Sequence, residues 1–195
     1  MRALAASVVA IALFTVVLGF GYPLLMTGFA AAAFPAKATG SLIHRNGQVV
    51  GSALAAQSFT SPRYFHERPS ATSPAYNAAG TTFSNLGPTS SALAKLVRQN
   101  AQAILTLERP YNPGLTIRQI PVDAVVPSGS GIDPQISPAY AQLQARRVAA
   151  VRHLSLATVQ KLITQNTAGR VLGFFGEPGV NVLKLNLALD KLGGK

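Results

Sequence analysis

Ser128, Gly129, Ser130 and Gly131 form the one stretch of this sequence whose residue types could hold an anion. Successive backbone N–H groups in a Ser-Gly-rich loop can converge into a nest for a phosphate, and Arg146 and Arg147 stand close enough in sequence to add charge. A Walker A loop must end in Gly-Lys-Ser/Thr, however, and this run continues into Ile132-Asp133-Pro134, placing a carboxylate where phosphate requires a cation. A tight strand-to-helix connection accounts for the same residues. His44, His66 and His153 lie too far apart to form a local metal motif, and no His-Glu-x-x-His spacing occurs. His66-Glu67-Arg68 sets an acid, a base and a cation side by side, but no Gly-x-Ser-x-Gly elbow accompanies it, and neighbouring Glu67 and Arg68 read as a plain ion pair on a loop. Six acidic residues in 195 leave little material for a two-carboxylate site, and the lack of cysteine excludes thiol nucleophiles, disulfides and cysteine metal sites. The sequence therefore assigns no catalytic and no metal-binding residue.

The elements that must position these residues follow from turn and cap signals. Asn46-Gly47 between Ser41–Arg45 and Gln48–Leu54 reads as a two-residue β-hairpin. Residues 57 to 88 are rich in Ser, Thr, Pro, Gly and Asn, yet Phe59, Tyr64, Phe65, Tyr76 and Phe83 are interspersed; a disordered linker has few aromatics, so a structured loop is expected. Thr89 or Ser90 caps a helix through Leu107, with Leu93, Leu96, Val97, Ile104 and Leu107 as its apolar stripe. Pro121–Val126 reads as a short buried strand. Ser137 with Pro138 starts a helix to about His153, and Ser155 starts another to about Gln165. The alternation from Val180 to Leu187 reads as a strand, with a short helix following to Leu192. The fold class is thus α+β: one N-terminal transmembrane helix followed by a single mixed α/β soluble domain.

Residues 3 to 36 carry no charge. Within them Ala3–Tyr22 supplies 20 mostly apolar residues, enough at about 1.5 Å per residue to cross a hydrocarbon core of roughly 30 Å. Ten of the 20 are Leu, Ile, Phe or Val, contributing on the order of −3 to −6 kcal/mol to insertion. The competing reading is a cleaved signal peptide with Arg2 as its n-region, but the apolar stretch exceeds an h-region of about 7 to 15 residues. Leu24–Phe34, beyond Gly19, Gly21 and Pro23, reads as an interfacial or partner-packed segment. Residues 1 to 36 are therefore expected to form an anchor with a juxtamembrane segment, and residues 37 to 195 one extracytoplasmic domain. Arg2 lies on the short N-terminal side and Lys37 is 15 residues past Tyr22, which favours a cytoplasmic N-terminus. The net charge of +11 sits almost wholly in the soluble part. Scattered basic residues without a nucleic-acid motif fit anionic headgroups or an acidic partner better than nucleic acid, and a plain basic surface that keeps the domain soluble accounts for them equally well.

Several strings occur in a fixed order. They are Gly40-Ser41-Leu42-Ile43, Tyr64-Phe65-His66-Glu67-Arg68-Pro69-Ser70-Ala71, Tyr76-Asn77, Ser84-Asn85-Leu86-Gly87-Pro88, Pro121-Val122-Asp123-Ala124-Val125, Ser128 through Pro134, Ile136-Ser137, Arg147-Val148-Ala149, and Gly176-Glu177-Pro178 with Val180-Asn181-Val182-Leu183. Together they resemble the C-subunit family of the Kdp-type bacterial potassium-transporting P-type ATPase, over the whole chain. Thr81-Thr82-Phe83, Gln135, Gly179 and Lys184 depart from the pattern expected of that family. Asp190-Lys191-Leu192-Gly193 superficially matches the phosphorylation motif of P-type ATPases, but Leu192 replaces its Thr, and the match is fortuitous.

The resemblance implies a non-catalytic accessory subunit of a high-affinity potassium uptake complex in the bacterial cell membrane. One partner subunit would be channel-like and carry potassium, another would be the P-type ATPase subunit, and lipid would surround the anchor. It further implies stabilisation of the assembly and a catalytic-chaperone role that raises ATP affinity of the hydrolysing subunit, with no cofactor held stably by this chain. Tyr64, Phe65, Arg68, Pro69, Ser70, Asn85, Gly87, Pro88, Asp133 and Asn181 are the interaction and motif residues this implies. The aromatic enrichment of the Pro- and Ser-rich stretch Phe59–Phe83 further suggests a docking surface, although the same aromatics can equally pack the domain's own core. The alternatives are a direct nucleotide-binding helper using Ser128–Gly131 and, remotely, an independent membrane-anchored periplasmic lipid-binding protein or enzyme.

Overall fold

The computed structural model describes residues 1 to 193. The chain divides into two compact units, one from Met1 to Val50 and one from Gly51 onward, so the β-hairpin begins in the unit that holds the apolar helix.

In the first unit the helix runs without a break from Arg2 to Ala33 over 32 residues, longer than the expected span. It comprises α1 (Arg2–Phe14), a π-helical segment (Thr15–Gly21) and α2 (Tyr22–Ala33). Leu24–Ala33 is thus a continuation of the same rod rather than a separate piece. The π segment has a cause in the sequence: in an α-helix the Pro23 ring would strike the carbonyl of Gly19. Widening the preceding turn relieves this, and the Tyr22 N–H bonds the carbonyl of Val17, five residues back. At about 1.5 Å per residue the rod is roughly 48 Å long, against about 30 Å for the hydrocarbon core of a bilayer. No residue of its most apolar window is buried, leaving the surface to lipid or to other helices. After α3 (Pro35–Ala38), β1 (Leu42–Arg45) and β2 (Gln48–Ser52) form the expected hairpin, with Asn46 and Gly47 at φ 52° and 78° as a type I′ turn demands.

The second unit packs α4 (Ser91–Glu108), α6 (Pro138–Arg152), α7 (Leu156–Gln165) and α8 (Val182–Lys191) about a small antiparallel sheet. Its strands β3 (Gln135–Ile136), β5 (Gly179–Asn181) and β4 (Thr167–Ala168) lie in that order. The oxygens of Ser90, Ser137 and Ser155 accept from the backbone N–H groups three residues on, as read from sequence. The core joins Phe65 to Leu105, Ile136, Val148, Ile163, Leu185 and Leu189, among others.

Three expectations are corrected. Pro121–Val126 is not a strand: Val122–Val125 forms the short helix α5, with Pro121 as its N-cap. Strand β5 ends at Asn181, whose side-chain oxygen accepts from the Lys184 N–H and starts α8 where a strand was expected to continue. Val182, Leu185 and Leu189, all buried, are spaced as one face of that helix. On α4 the buried face is Ala101, Ile104, Leu105 and Glu108; Leu93 and Leu96 are only half covered because the N-terminal half of the helix lies beyond the core.

Candidate functional site

The Tyr64–Ala71 string is built into the domain as an extended segment that side chains hold by its backbone. Phe65 is completely buried, and its N–H and C=O bond the Asn186 amide oxygen and nitrogen on α8, each at 2.9 Å. One residue on, the His66 N–H donates to Gln144 Oε1 on α6 at 2.7 Å, and Gln144 Nε2 returns a bond to the His66 carbonyl at 3.1 Å. Primary amides present a donor and an acceptor with the spacing of a peptide unit, so Asn186 and Gln144 act as strand neighbours on either side.

Arg147, itself fully buried, completes the clamp. Its Nε donates to Glu108 Oε1 at 2.7 Å, its Nη1 to the carbonyls of Pro62 and of Tyr64, the latter at 2.9 Å, and its Nη2 to Gln144 Oε1 at 2.9 Å. Burial pushes the Glu108 carboxyl above its ordinary value and the Arg147 guanidinium opposes that shift. Burial also lowers the His66 imidazole, whose Nε2 bonds the Ser61 carbonyl at 3.0 Å. Further along, Arg152 donates to the Arg63 carbonyl at 2.7 Å and to Asp190 at 2.8 Å, its guanidinium lying 4.7 Å from the Tyr64 ring centre. The Tyr64 hydroxyl donates to the same Asp190 carboxylate at 3.1 Å.

A second lattice ties the Ser128–Gly131 loop to this segment. Ser70 Oγ donates to the Gly131 carbonyl at 2.7 Å and accepts from the Tyr76 N–H at 3.0 Å, while the Ser128 N–H donates to the Pro69 carbonyl at 3.3 Å. The Gly131 N–H bonds the Ser128 carbonyl, and the Ile132 N–H bonds Ser130 Oγ. Two N–H groups of the expected nest, those of Ser128 and Gly131, are therefore already engaged. Gly131 has φ 71°, and a Cβ there would come within 2.6 Å of Thr72 Cγ2 and 2.8 Å of the Thr82 carbonyl, so only glycine fits at that position. Gly129, by contrast, faces open space. Arg147 is buried against Glu108 and is not a phosphate ligand, whereas Arg146 is exposed.

The Glu67–Arg68 pairing is likewise corrected. Arg68 Nη1 bonds Asp133 Oδ2 at 3.0 Å, whereas Glu67 is buried with neither carboxylate oxygen hydrogen-bonded. Glu67 borders a recess of about 340 Å³ shared with Phe59, Tyr76, Asn100 and Tyr140. Burial, then the charge of Asp133, raises its pKa to about 8, with the nearby Gln57 N–H pulling weakly the other way.

The remaining motif residues are structural in different ways. Asn181 is buried, donates to the Ala53 carbonyl at 2.9 Å and caps α8. Asn85 sits at φ 52° on an exposed loop with Gly87 and Pro88, and the Gly87 carbonyl accepts from the Ser90 N–H at the start of α4. Arg68, Asp133, Asp123 and Glu177 line an open cleft of about 470 Å³. Asp123 there is committed to Ser137, accepting from its N–H and its hydroxyl at 2.7 and 2.9 Å. Among the described residues no group of three or more His, Cys, Asp or Glu could hold a metal ion.

Carboxylates point inward as a consequence. Among the described residues Glu177 alone of the acidic side chains is exposed, whereas Lys95, Arg98, Arg109, Arg118, Arg146 and Lys161 are all at the surface. Sequence reasoning found the strings but missed Gln144, Asn186 and Glu108, which on their helices resemble ordinary surface polar residues. Of the two places open to the Phe65 ring, docking surface or the domain's own core, it takes the core.

The chain matches the family model of the K+-transporting ATPase c chain, KdpC, over residues 4 to 191. It is 50% identical over 193 residues to the potassium-transporting ATPase KdpC subunit of Methylobacterium nodulans, covering 93% of this chain and 92% of that protein. It is 52% identical over 179 residues to the subunit of the same name from Methylococcus capsulatus, covering 91% and 92%. A third, from a Caulobacter species, is 50% identical over 185 residues, covering 94% and 91%.

Proposed function

The chain belongs to the family of KdpC subunits of potassium-transporting ATPases, and on that premise we propose that it is an accessory, non-catalytic subunit of such an assembly. In this reading the Arg2–Ala33 helix crosses the bacterial cell membrane with its N-terminus in the cytoplasm, and the second unit lies outside. Partner subunits conduct potassium and hydrolyse ATP.

The observation that carries this reading is how the motif residues are used. Gln144, Arg147 and Asn186 are spent on holding the backbone of Tyr64, Phe65 and His66 inside the domain. A rigid scaffold with a cationic surface suits contact with anionic headgroups or acidic faces of partner subunits. Any effect on the ATP affinity of the hydrolysing subunit then passes through subunit contacts as a coupling free energy, without ATP on this chain.

Affinity capture tests it: with this chain tagged in cells that otherwise lack it, detergent-extracted membranes should yield the other ATPase subunits in fixed ratio. Recovery of the chain alone would refute it. The competing reading, direct nucleotide binding at Ser128–Gly131, is tested cleanly only at Gly129, because a side chain at Gly131 collides with Thr72 and Thr82 whether or not nucleotide binds. Gly129→Arg leaving ATP affinity unchanged would exclude that loop.

A further inference from the structure

The connection between β4 and β5 carries four large apolar side chains into solvent: Val171 is 67% exposed, Leu172 79%, Phe174 65% and Phe175 57%. Elsewhere in the second unit exposed large hydrophobics such as Leu54, Phe83, Ile117 and Val122 are separated along the sequence, as on ordinary surfaces. Here four of five successive residues are exposed together. Val171 and Phe175 pair as an antiparallel bridge, with reciprocal N–H to carbonyl bonds of 2.9 Å. Leu172 and Gly173 take positive φ of 54° and 82° to close the tip, and the Phe174 and Phe175 rings lie 4.1 Å apart. The tip is therefore pre-organised, and little conformational entropy remains to be lost when it is covered.

Its charge selects the occupant. The two ionic residues flanking it, Arg170 and Glu177, neutralise one another at 2.8 Å, so the tip has no excess cation to hold it at a headgroup layer, as membrane-surface segments have. An apolar, aromatic centre with a balanced polar rim is the anatomy of a protein–protein contact. The four side chains offer on the order of 500 Å², short of the roughly 800 Å² per partner of a standard interface. The tip can thus be the centre of a contact whose rim comes from neighbouring residues.

We propose that the Val171–Phe175 hairpin tip is a docking knob that inserts into an apolar cleft on another subunit of the potassium-transporting ATPase. This rests on the accessory-subunit reading and names the surface through which it works.

The chain contains no tryptophan, so Phe174→Trp, incorporated into this chain alone as 5-hydroxytryptophan, gives the tip an emission distinct from tyrosine and from any tryptophan of a partner. In the tagged full-length chain, its quenching by iodide should fall severalfold when the complex is present, compared with the chain alone in the same detergent. Phe174→Ser with Phe175→Ser should lower retention of the chain in the captured complex at least about tenfold while its own melting curve stays in place, because both rings are solvent-exposed. Equal iodide access in the two states with full retention of the double-serine variant would overturn the proposal. So would quenching of the chain alone by brominated-acyl phosphatidylglycerol vesicles, which would give the tip to the bilayer. Retention of the wild-type chain in either case keeps the accessory-subunit reading standing, whereas failure of the wild-type chain to capture partners removes both.

Discussion

Replacing Arg147 by Ala should cost this domain a large part of its stability, and the structure sets the amount. Arg147 is fully buried and serves Glu108, Gln144 and the carbonyls of Pro62 and Tyr64 at once. Removing one partner of a buried ion pair costs about 3 to 5 kcal/mol, because Glu108, also buried, must then either carry an uncompensated charge or take up a proton. The stranded carbonyls push towards the upper end of that range. Domains of this size are stable by about 5 to 15 kcal/mol, so the midpoint should fall by on the order of 10 °C. Far-ultraviolet circular dichroism of the full chain in detergent, followed through heat and urea, reads the loss. Double-mutant cycles with Glu108→Gln should give a coupling above about 1 kcal/mol. A loss under about 1 kcal/mol for Arg147→Ala would refute the clamp, since such a value belongs to a surface pair.

Three further outcomes follow from the same geometry. Glu67 holds its proton in the folded state up to about pH 8, whereas the unfolded chain releases it near 4.5; the folded state therefore binds more protons in between, and stability falls as pH rises through that window. Glu67→Gln should flatten this slope and stabilise the protein at pH 8 by up to about 4 kcal/mol, and an unchanged pH profile in denaturant titrations would contradict it. Gly131→Ala should destabilise by about 1 to 3 kcal/mol through its left-handed φ and its collision with Thr72 and Thr82, while Gly129→Ala should be within about 0.5 kcal/mol of wild type; paired melts compare them. Asn186→Leu should cost about 2 to 4 kcal/mol by leaving both peptide groups of Phe65 unpaired in the core, and hydrogen exchange at Phe65 should accelerate in step.

Local signals carried the elements they control. Asn46-Gly47 needs left-handed dihedrals and gets them, and Ser90, Ser137 and Ser155 cap the helices they precede, because turn and cap chemistry acts within about three residues. Where two periods compete, the reading failed. Val180–Leu187 alternates like a strand, yet Val182, Leu185 and Leu189 also suit a helix, and the Asn181 cap decides for the helix. Pro121–Val126 is too short for either period to show.

The clamp was out of reach for a different reason. Gln144, Arg147 and Asn186 meet His66, Tyr64 and Phe65, respectively, across 78 to 121 positions of sequence, and nothing local marks a polar helix residue as buried. The Phe59–Phe83 aromatics showed that the loop is ordered but not which rings point inward. The family strings singled out the right segments; their roles as backbone clamp and cap emerged only with the partners in place.

A subunit of the proposed kind supports ATP-driven potassium transport without catalysing it. The direct measurement is potassium-stimulated ATP hydrolysis by the purified assembly with and without this chain, beside the chain alone. Hydrolysis that depends on the chain in the assembly and is absent from the chain by itself is the predicted result. Turnover of ATP by the isolated chain, or an assembly equally intact and active without it, would contradict the account.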